Sequence, residues 1–276
     1  MRKQIIIIVI LLICILCLGA CSKSNSSFFI KFIDVGQGDA ALVECDGHYM
    51  LIDGGDTSAG DKVYNVLEEE GVQHLDILAI SHMHVDHIGG LTKALTYASA
   101  IDKTISNTVD GDTEVFRKFE HQLGINGSKI TVPHIGDKLK LGSAEVEVVD
   151  ISSVDENDSL VLLVTYENNK FLFAGDIGKA TQSKIANLYS NESDDSFKID
   201  LLKMPHHGAG VTIQFIRTFM PEYAVISVGN DNQYGHPYDR TLEMLEQADT
   251  KVFRTDKDGD ITVKSDGERL YIETSK

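Results

Sequence analysis

Ser81-His82-Met83-His84-Val85-Asp86-His87 sets three histidines and one aspartate within six positions, with Gly89-Gly90 close behind. Imidazole nitrogen and carboxylate oxygen together form a donor set for Zn²⁺, Mn²⁺ or Fe²⁺. A catalytic ion keeps one coordination position open, so four such donors are too many for one ordinary site. Two adjacent cations account for all of them, His82 and His84 on one, Asp86 and His87 on the other. Two cations side by side suit hydrolysis, because they acidify a water and hold substrate oxygens. The plain alternative is a polar surface loop with incidental histidines. It requires both the spacing and the apolar run of residues 75–80 to be accidents.

Two further stretches carry the same residue types. Residues 171–174 are apolar and end in Gly175-Asp176, an acid at the C-terminal edge of a predicted strand. Each oxygen of such a carboxylate can hold one cation. Residues 199–204 lead into Pro205-His206-His207-Gly208. Adjacent histidines at a strand end need a turn to point the same way, so one can ligate metal while its neighbour faces substrate.

These groups have to be delivered by regular elements. Residues 75–80 read as the strand that presents the histidine loop. Residues 29–35, 40–45 and 48–52 read as strands rich in aromatic and β-branched side chains, with Asp46-Gly47 as a hairpin turn. Residues 61–70 read as a helix with Asp61 as its cap, Val63, Val66 and Leu67 as its buried stripe, and Gly71 as its stop. Helices are also predicted over 91–97, 115–123, 179–188, 212–219 and 239–248. Strands are predicted over 101–106, 129–132, 144–150, 160–164, 171–174, 223–228 and 251–256.

In this setting His-x-His-x-Asp-His resembles the signature of the metallo-β-lactamase fold hydrolases. The resemblance implies an α/β (α+β) chain folded as a four-layer αββα sandwich, with two divalent ions, Zn or Mn, at one edge of its two sheets. Val35-Gly36-Gln37-Gly38-Asp39-Ala40, Leu51-Ile52-Asp53-Gly54-Gly55, Pro205-His206-His207-Gly208 and Gly235-His236-Pro237 narrow it. Together they resemble the extracytoplasmic hydrolase domain of ComEC-type DNA-uptake proteins. By that resemblance Asp176 bridges the metals and His207 ligates the second. His206 contacts the phosphate or protonates the leaving group, the two histidines' roles remaining exchangeable, and His236 lies over the site. The implied catalytic set is Asp86, His206 and His236. Gln37 and Asp39 sit near the site, Asp53 supports the histidine loop, and Asn157 and Ser159 hydrogen-bond around it. Asp53 also reads as a strand-end cap, and Asn157 and Ser159 as turn residues.

One departure stands out. Most two-metal members supply a further histidine to the first metal from the region after the signature. Only His121 and His134 lie between His87 and Asp176. His121 falls in a helical pattern and His134 before a turn, which leaves Asp110 or Asp112 to complete that metal.

The expected substrate is a phosphodiester, with single-stranded DNA preferred. A resemblance to phosphorylcholine esterases keeps a cell-wall phosphodiester open. A β-lactam or lactone, or a non-catalytic metal-binding lipoprotein, are the other readings.

The chain has 276 residues and a formal charge of −17. That balance excludes tight, unspecific wrapping of duplex nucleic acid, which uses a cationic face. Arg2-Lys3 precedes an apolar run over residues 5–20, short for a membrane span and patterned like a signal peptide. Leu18-Gly19-Ala20-Cys21 resembles a bacterial lipobox, which makes Cys21 a lipidation site; an uncleaved anchor is the competing reading. The expected organisation is a lipoprotein signal peptide over 1–20, a tether over 21–27 and a hydrolase domain over 28–276, held outside the cell membrane. Cys14, Cys17, Cys21 and Cys45 do not make a disulfide framework.

Overall fold

The computed structural model describes residues 27–151, 159–190 and 198–276. The export segment, Cys21 and Asn157 therefore lie outside the described residues. Strands β1 (Phe28–Phe32), β2 (Ala41–Cys45), β3 (His48–Ile52), β4 (His74–Ile80), β5 (Ala100–Ser106) and β6 (Ile130–Thr131) lay down most of one sheet. Strands β7 (Lys138–Leu141), β8 (Ala144–Asp150), β9 (Val161–Tyr166), β10 (Asn169–Phe173), β11 (Leu201–Lys203), β12 (Tyr223–Ile226) and β13 (Lys251–Arg254) make the other. The chain then returns to the first sheet through β14 (Ile261–Ser265) and β15 (Leu270–Thr274). The strand orders are β15-β14-β1-β2-β3-β4-β5-β6 and β13-β12-β11-β10-β9-β8-β7.

Alternation along the strands builds the layers. Phe28, Ile30 and Phe32 of β1, Val43 of β2 and Met50 of β3 face Leu162 and Val164 of β9 and Phe171 and Phe173 of β10. Phe28 stacks on Tyr166 at 4.7 Å and on Phe171 at 4.9 Å, so aromatic rings join the two sheets directly. On the outer face of the first sheet, Leu42, Leu51 and Leu78 pack on the helices Gly60–Glu69, Leu91–Ala94 and Glu114–Ile125. On the outer face of the second, Leu163, Leu172 and Leu202 pack on Lys179–Ser190, Ile213–Phe219 and Asp239–Gln247. Helix, sheet, sheet, helix is the αββα sandwich.

Several expected boundaries move. The first strand stops at Phe32 rather than 35, because Ile33 turns outward to the helix layer. Asp61 does not cap its helix. Asp56 accepts the Ser58 and Ala59 amides and caps a preceding 3₁₀ turn, which leaves Asp61 exposed in the first helical turn. The helix expected over 91–97 stops at Ala94, and a separate four-residue helix, Val85–Ile88, precedes it across Gly89-Gly90. The Asp46-Gly47 hairpin has positive φ at both positions, 53° and 81°, as a tight two-residue turn requires.

The strand directions decide where chemistry can be placed. β3, β4 and β5 run parallel, as do β10, β11, β12 and β13. The loops after β4, β10, β11 and β12 carry the histidine signature, Asp176, His206-His207 and His236. Loops at the carboxyl ends of parallel strands gather side chains from separate parts of the chain.

Candidate metal centre

The loop after β4 is built on Asp53. Its carboxylate accepts the Ser81 amide at 2.8 Å and the Ser81 hydroxyl at 2.7 Å, and its Oδ2 lies 2.9 Å from His87 Nδ1. Ser81 Oγ also lies 3.1 Å from His82 Nδ1. Each contact occupies a histidine's Nδ1 and turns its Nε2 toward the opening. His207 is held the same way, its Nδ1 donating to the Ser227 carbonyl at 3.0 Å. Such partners set both tautomer and ring orientation.

Two glycines let the loops approach. A Cβ on Gly38, whose φ is +136°, would lie 2.3 Å from the Asp86 carbonyl oxygen. A Cβ on Gly175 would lie 2.7 Å from Ser159 Cβ and 3.1 Å from Ser81 Cβ. Leu160 N donates to the Ser81 carbonyl at 2.8 Å, and Ser159 Oγ accepts the Asp176 amide at 3.0 Å. The two sheets' loops are thus stitched together around the centre. His206 and His207 both adopt left-handed backbone, φ 49° and 54°, so the adjacent histidines turn without a helix or strand.

Four side chains converge. One ligand atom from each of Asp86, His87, Asp176 and His207 lies within 4.8 Å of the others. The separations are 3.3 Å for His207 Nε2 to Asp86 Oδ2, 3.4 Å for His87 Nε2 to Asp176 Oδ2, 3.7 Å for His207 Nε2 to Asp176 Oδ2 and 3.9 Å for His87 Nε2 to Asp86 Oδ2. Ligand atoms roughly 2.0–2.2 Å from a tetrahedral ion stand about 3.3–3.6 Å from one another. His87, His207 and Asp176 are 0%, 1% and 2% exposed, and His87 Nε2, His207 Nε2 and Asp176 Oδ1 have no hydrogen-bond partner among the described residues. Orphaned buried donors of this kind at ligand spacing fit a divalent cation.

The electrostatics agree. Burial opposes a charge on His87, but Asp176 and Asp53 outweigh it and hold the imidazole's pKa well above the ordinary value. Burial likewise opposes a charge on His207, and Asp176, Asp39 and Asp86 raise it to about 10. Asp176 resists its own burial because His87 and His207 hold it well below the usual carboxylate range. Without a cation, protons on two histidines do the neutralising, and a metal would displace them.

His82 and His84 are arranged differently. His82 Nε2 and His84 Nδ1 are 2.8 Å apart, and His82 Nε2 is 3.9 Å from Asp176 Oδ2. His84 is exposed, and neither histidine belongs to the group of four. Burial, then the neighbouring His87, lowers His82 to about 3, so it is a neutral donor at physiological pH. Asp110, Asp112, His121 and His134 are all exposed, and His134 pairs with Asp137 at 3.6 Å.

His206 Nε2 lies 4.0 Å from Asp176 Oδ2, and the His236 ring sits 5.6 Å from that of His206 and 6.1 Å from that of His207. Burial, then His207 and His206, lowers His236 to about 4. Gln37 Oε1 accepts the Gly229 amide at 3.2 Å. Asp39 does not face the opening: it is buried behind His207, 3.3 Å from Nδ1, and accepts from Lys203 Nζ at 2.7 Å. A cleft of about 520 Å³, lined by Gln37, Asp56, Asp86, Asp231 and Tyr234, opens the centre to solvent.

Ser81, Lys203 and Ser227 were not anticipated. Lys203 had a signal, since a lone lysine between Leu202 and Met204 in a buried strand needs an acid. Ser81 and the Ser227 carbonyl had none, because their role depends on backbone placement. Among the described residues, no helix is long and apolar enough to cross a membrane.

The chain is 28% identical over 259 residues to "ComE operon protein 3" of Bacillus subtilis, an overlap of 84% of this chain and 32% of that one. It is 26% identical over 280 residues to "Recombination protein 2" of Haemophilus influenzae, covering 97% of this chain and 32% of that one. The chain therefore spans about a third of the length of these curated relatives. The fold matches the metallo-beta-lactamase fold protein YhfI from Bacillus subtilis with a TM-score of 0.58, 12% identity, and coverage of 86% of this chain and 100% of that one. The sequence profile of the metallo-beta-lactamase superfamily matches residues 33–209, more than half of the chain and the span that carries the four converging donors. By that profile, its sandwich and its clustered His/Asp donors, this chain belongs to the metallo-beta-lactamase superfamily.

Proposed function

We propose that the chain is a metal-dependent phosphodiesterase that cleaves DNA, with a single strand as the preferred substrate. The observation that carries the reading is the set of four donor atoms at ligand spacing beneath an open cleft, flanked by His206 and His236. Asp86, His87, Asp176 and His207 would hold one Zn²⁺ or Mn²⁺. His82, His84 and Asp176 would hold a second, more loosely, because among the described residues no further ligand from the following region reaches it. When bound, such cations polarise phosphoryl oxygens and make an attacking water acidic.

The chain's own residues supply the rest. Asp53 and Ser227 keep the Nε2 atoms of His87 and His207 aimed at the centre. His206, whose Nε2 faces the same space, gives a proton to the leaving oxygen. His236 donates a hydrogen bond to that oxygen as a neutral imidazole. The choice of DNA draws on the resemblance of the Gly-Gln-Gly-Asp, Pro-His-His-Gly and Gly-His-Pro segments to ComEC-type hydrolase domains. A curated relative named for recombination points the same way. Export and lipid attachment at Cys21 belong to this reading and rest on the basic start, the apolar run and the Leu-Gly-Ala-Cys segment.

The test is a substrate panel. Metal-loaded wild type and Asp86→Ala are incubated with single-stranded DNA, duplex DNA, bis-p-nitrophenyl phosphate, a phosphorylcholine ester and a β-lactam. Wild type should cleave the small diester and the single strand, and Asp86→Ala should be slower by on the order of 10²-fold. Cleavage of the small diester without DNA would move the assignment to a cell-wall esterase. Turnover of the β-lactam alone would overturn it.

A further inference from the structure

Beyond the metal centre, two exposed tyrosines flank His236. Tyr234 and Tyr238 are 58% and 47% exposed, and their rings sit 5.5 Å and 5.4 Å from the His236 ring on either side in sequence. Single exposed apolar side chains are ordinary. Two within five residues, in ring contact with a histidine that touches the centre, are a surface.

That surface is held in place. Asn232 Nδ2 donates to the carbonyls of Gly229 at 3.0 Å and His236 at 2.8 Å, and its Oδ1 accepts the His236 amide at 2.9 Å. Thr241 Oγ1 donates to the Gly208 carbonyl at 2.8 Å, tying the segment to the His206-His207 turn.

Beyond Tyr238 lies a cavity of about 320 Å³ whose lining includes Lys179, Thr212, Tyr238, Arg240 and Met244. Lys31, Lys62, Lys118, Lys138, Lys184 and Lys264 sit on carboxylates. Lys179 and Arg240 have no carboxylate partner among the described residues, although acids outnumber bases by 42 to 25. The cavity therefore offers two uncommitted cations, an apolar wall and an aromatic edge. The cleft bordered by Tyr234 offers Asp56, Asp86 and Asp231 instead. A polyanion is drawn to the first and repelled from the second.

We propose that Tyr238, packed on His236, and the cavity carrying Lys179 and Arg240 form a subsite for single-stranded nucleic acid. Tyr238 stacks a base, and the two cations take the phosphates next to the scissile linkage. The strand thus leaves the centre on one side only. The inference rests on the phosphodiesterase reading above and supplies its substrate grip.

The test uses the full-length chain in mild detergent and a fluorescein-labelled oligo(dT) of about ten nucleotides, within the usual footprint of such sites. Anisotropy titrations are run in EDTA, so that binding is read without turnover. Lys179→Ala/Arg240→Ala should raise Kd about 10-fold and lower the salt slope by about 1.4, the contribution of two phosphate contacts on a single strand. Tyr238→Ala should raise Kd on the order of 10-fold. Lys103→Ala/Lys129→Ala removes the same charge from exposed positions elsewhere and should leave Kd within about 2-fold. With Mn²⁺ present, the ratio of kcat/KM on oligo(dT) to that on bis-p-nitrophenyl phosphate should fall about 10-fold in the first double variant.

Equal loss in both double variants would show a bulk-charge effect and overturn the subsite, as would no loss in either. Inorganic polyphosphate competing as well as unlabelled oligo(dT) would overturn the stacking role. Wild type that binds oligo(dT) through these residues yet cleaves no diester would sink the phosphodiesterase reading and leave the subsite standing.

Discussion

Asp176→Asn should lose most of its bound metal and slow phosphodiester hydrolysis by on the order of 10³-fold. One oxygen of Asp176 lies within 4.0 Å of the Nε2 atoms of His82, His87, His206 and His207. Asp86 Oδ2 also reaches His87 and His207, but among the described residues no other carboxylate oxygen lies within 4.0 Å of both His82 and His207. Asparagine keeps the size and leaves the main-chain bond to Ser159 untouched, but it removes the charge. An amide nitrogen would then face imidazole, and an amide oxygen is a far weaker ligand for a hard or borderline cation. Metal content after dialysis, measured by mass spectrometry, is the direct readout, with circular dichroism as the check on folding. An Asn variant with the wild-type metal content would refute the bridging role. Wild type that never exceeds one ion at saturating Mn²⁺ or Zn²⁺ would refute the two-metal reading.

The second large effect is on stability. Lys203→Met should cost about 3–5 kcal/mol, the usual result of stripping one partner from a buried ion pair. Lys203 and Asp39 are 4% and 6% exposed, and their 2.7 Å contact spans the interior between the two sheets. Burial opposes the charge on Asp39 most strongly. Lys203 first, and then His207, reverse that and hold the carboxyl well below its usual range. Methionine fills the space of the lysine stem and leaves Asp39 charged and buried, with His207 Nδ1 as its one remaining cationic neighbour within 4 Å among the described residues. Adding Asp39→Asn should restore a good part of the loss, since a buried amide costs less than a buried charge. Urea-denaturation midpoints of the three variants decide it. A Lys203→Met midpoint at the wild-type value would mean that the pair contributes nothing.

Both effects bear on how far the chain could be read before its fold was known. The layers were legible because hydrophobic alternation is local: Phe28, Ile30 and Phe32 announce one buried face without any knowledge of what they face. That Asp86, His87, Asp176 and the His206-His207 pair lie in loops after apolar strands was legible as well, while the assignment of His207 rather than His206 came from the family resemblance. Asp39 was placed near the site by the segment Gly36 to Asp39, but its ion-pair partner Lys203 was not legible, because it lies 164 residues away. Cap positions failed for a related reason. Asp56 and Asp61 are both suitable acids, and only the intervening 3₁₀ turn decides between them. The tyrosines beside His236 look like ordinary loop residues until the structure sets both rings against that histidine.

The stitching of the histidine loop to the Asp176 and His207 loops has a thermodynamic consequence. His87 is delivered by β4 of one sheet, and Asp176 and His207 by β10 and β11 of the other. A cation shared among them would be a further cross-link between halves of the molecule, beside the hydrocarbon core, the Leu160–Ser81 bond and the Lys203–Asp39 pair. Its binding free energy would then also be free energy of folding, adding about 2.7 kcal/mol when free metal exceeds Kd a hundredfold. Metal supply would set how long the protein survives proteases as well as how fast it works, and a chain starved of metal would open first along the edge that carries its chemistry.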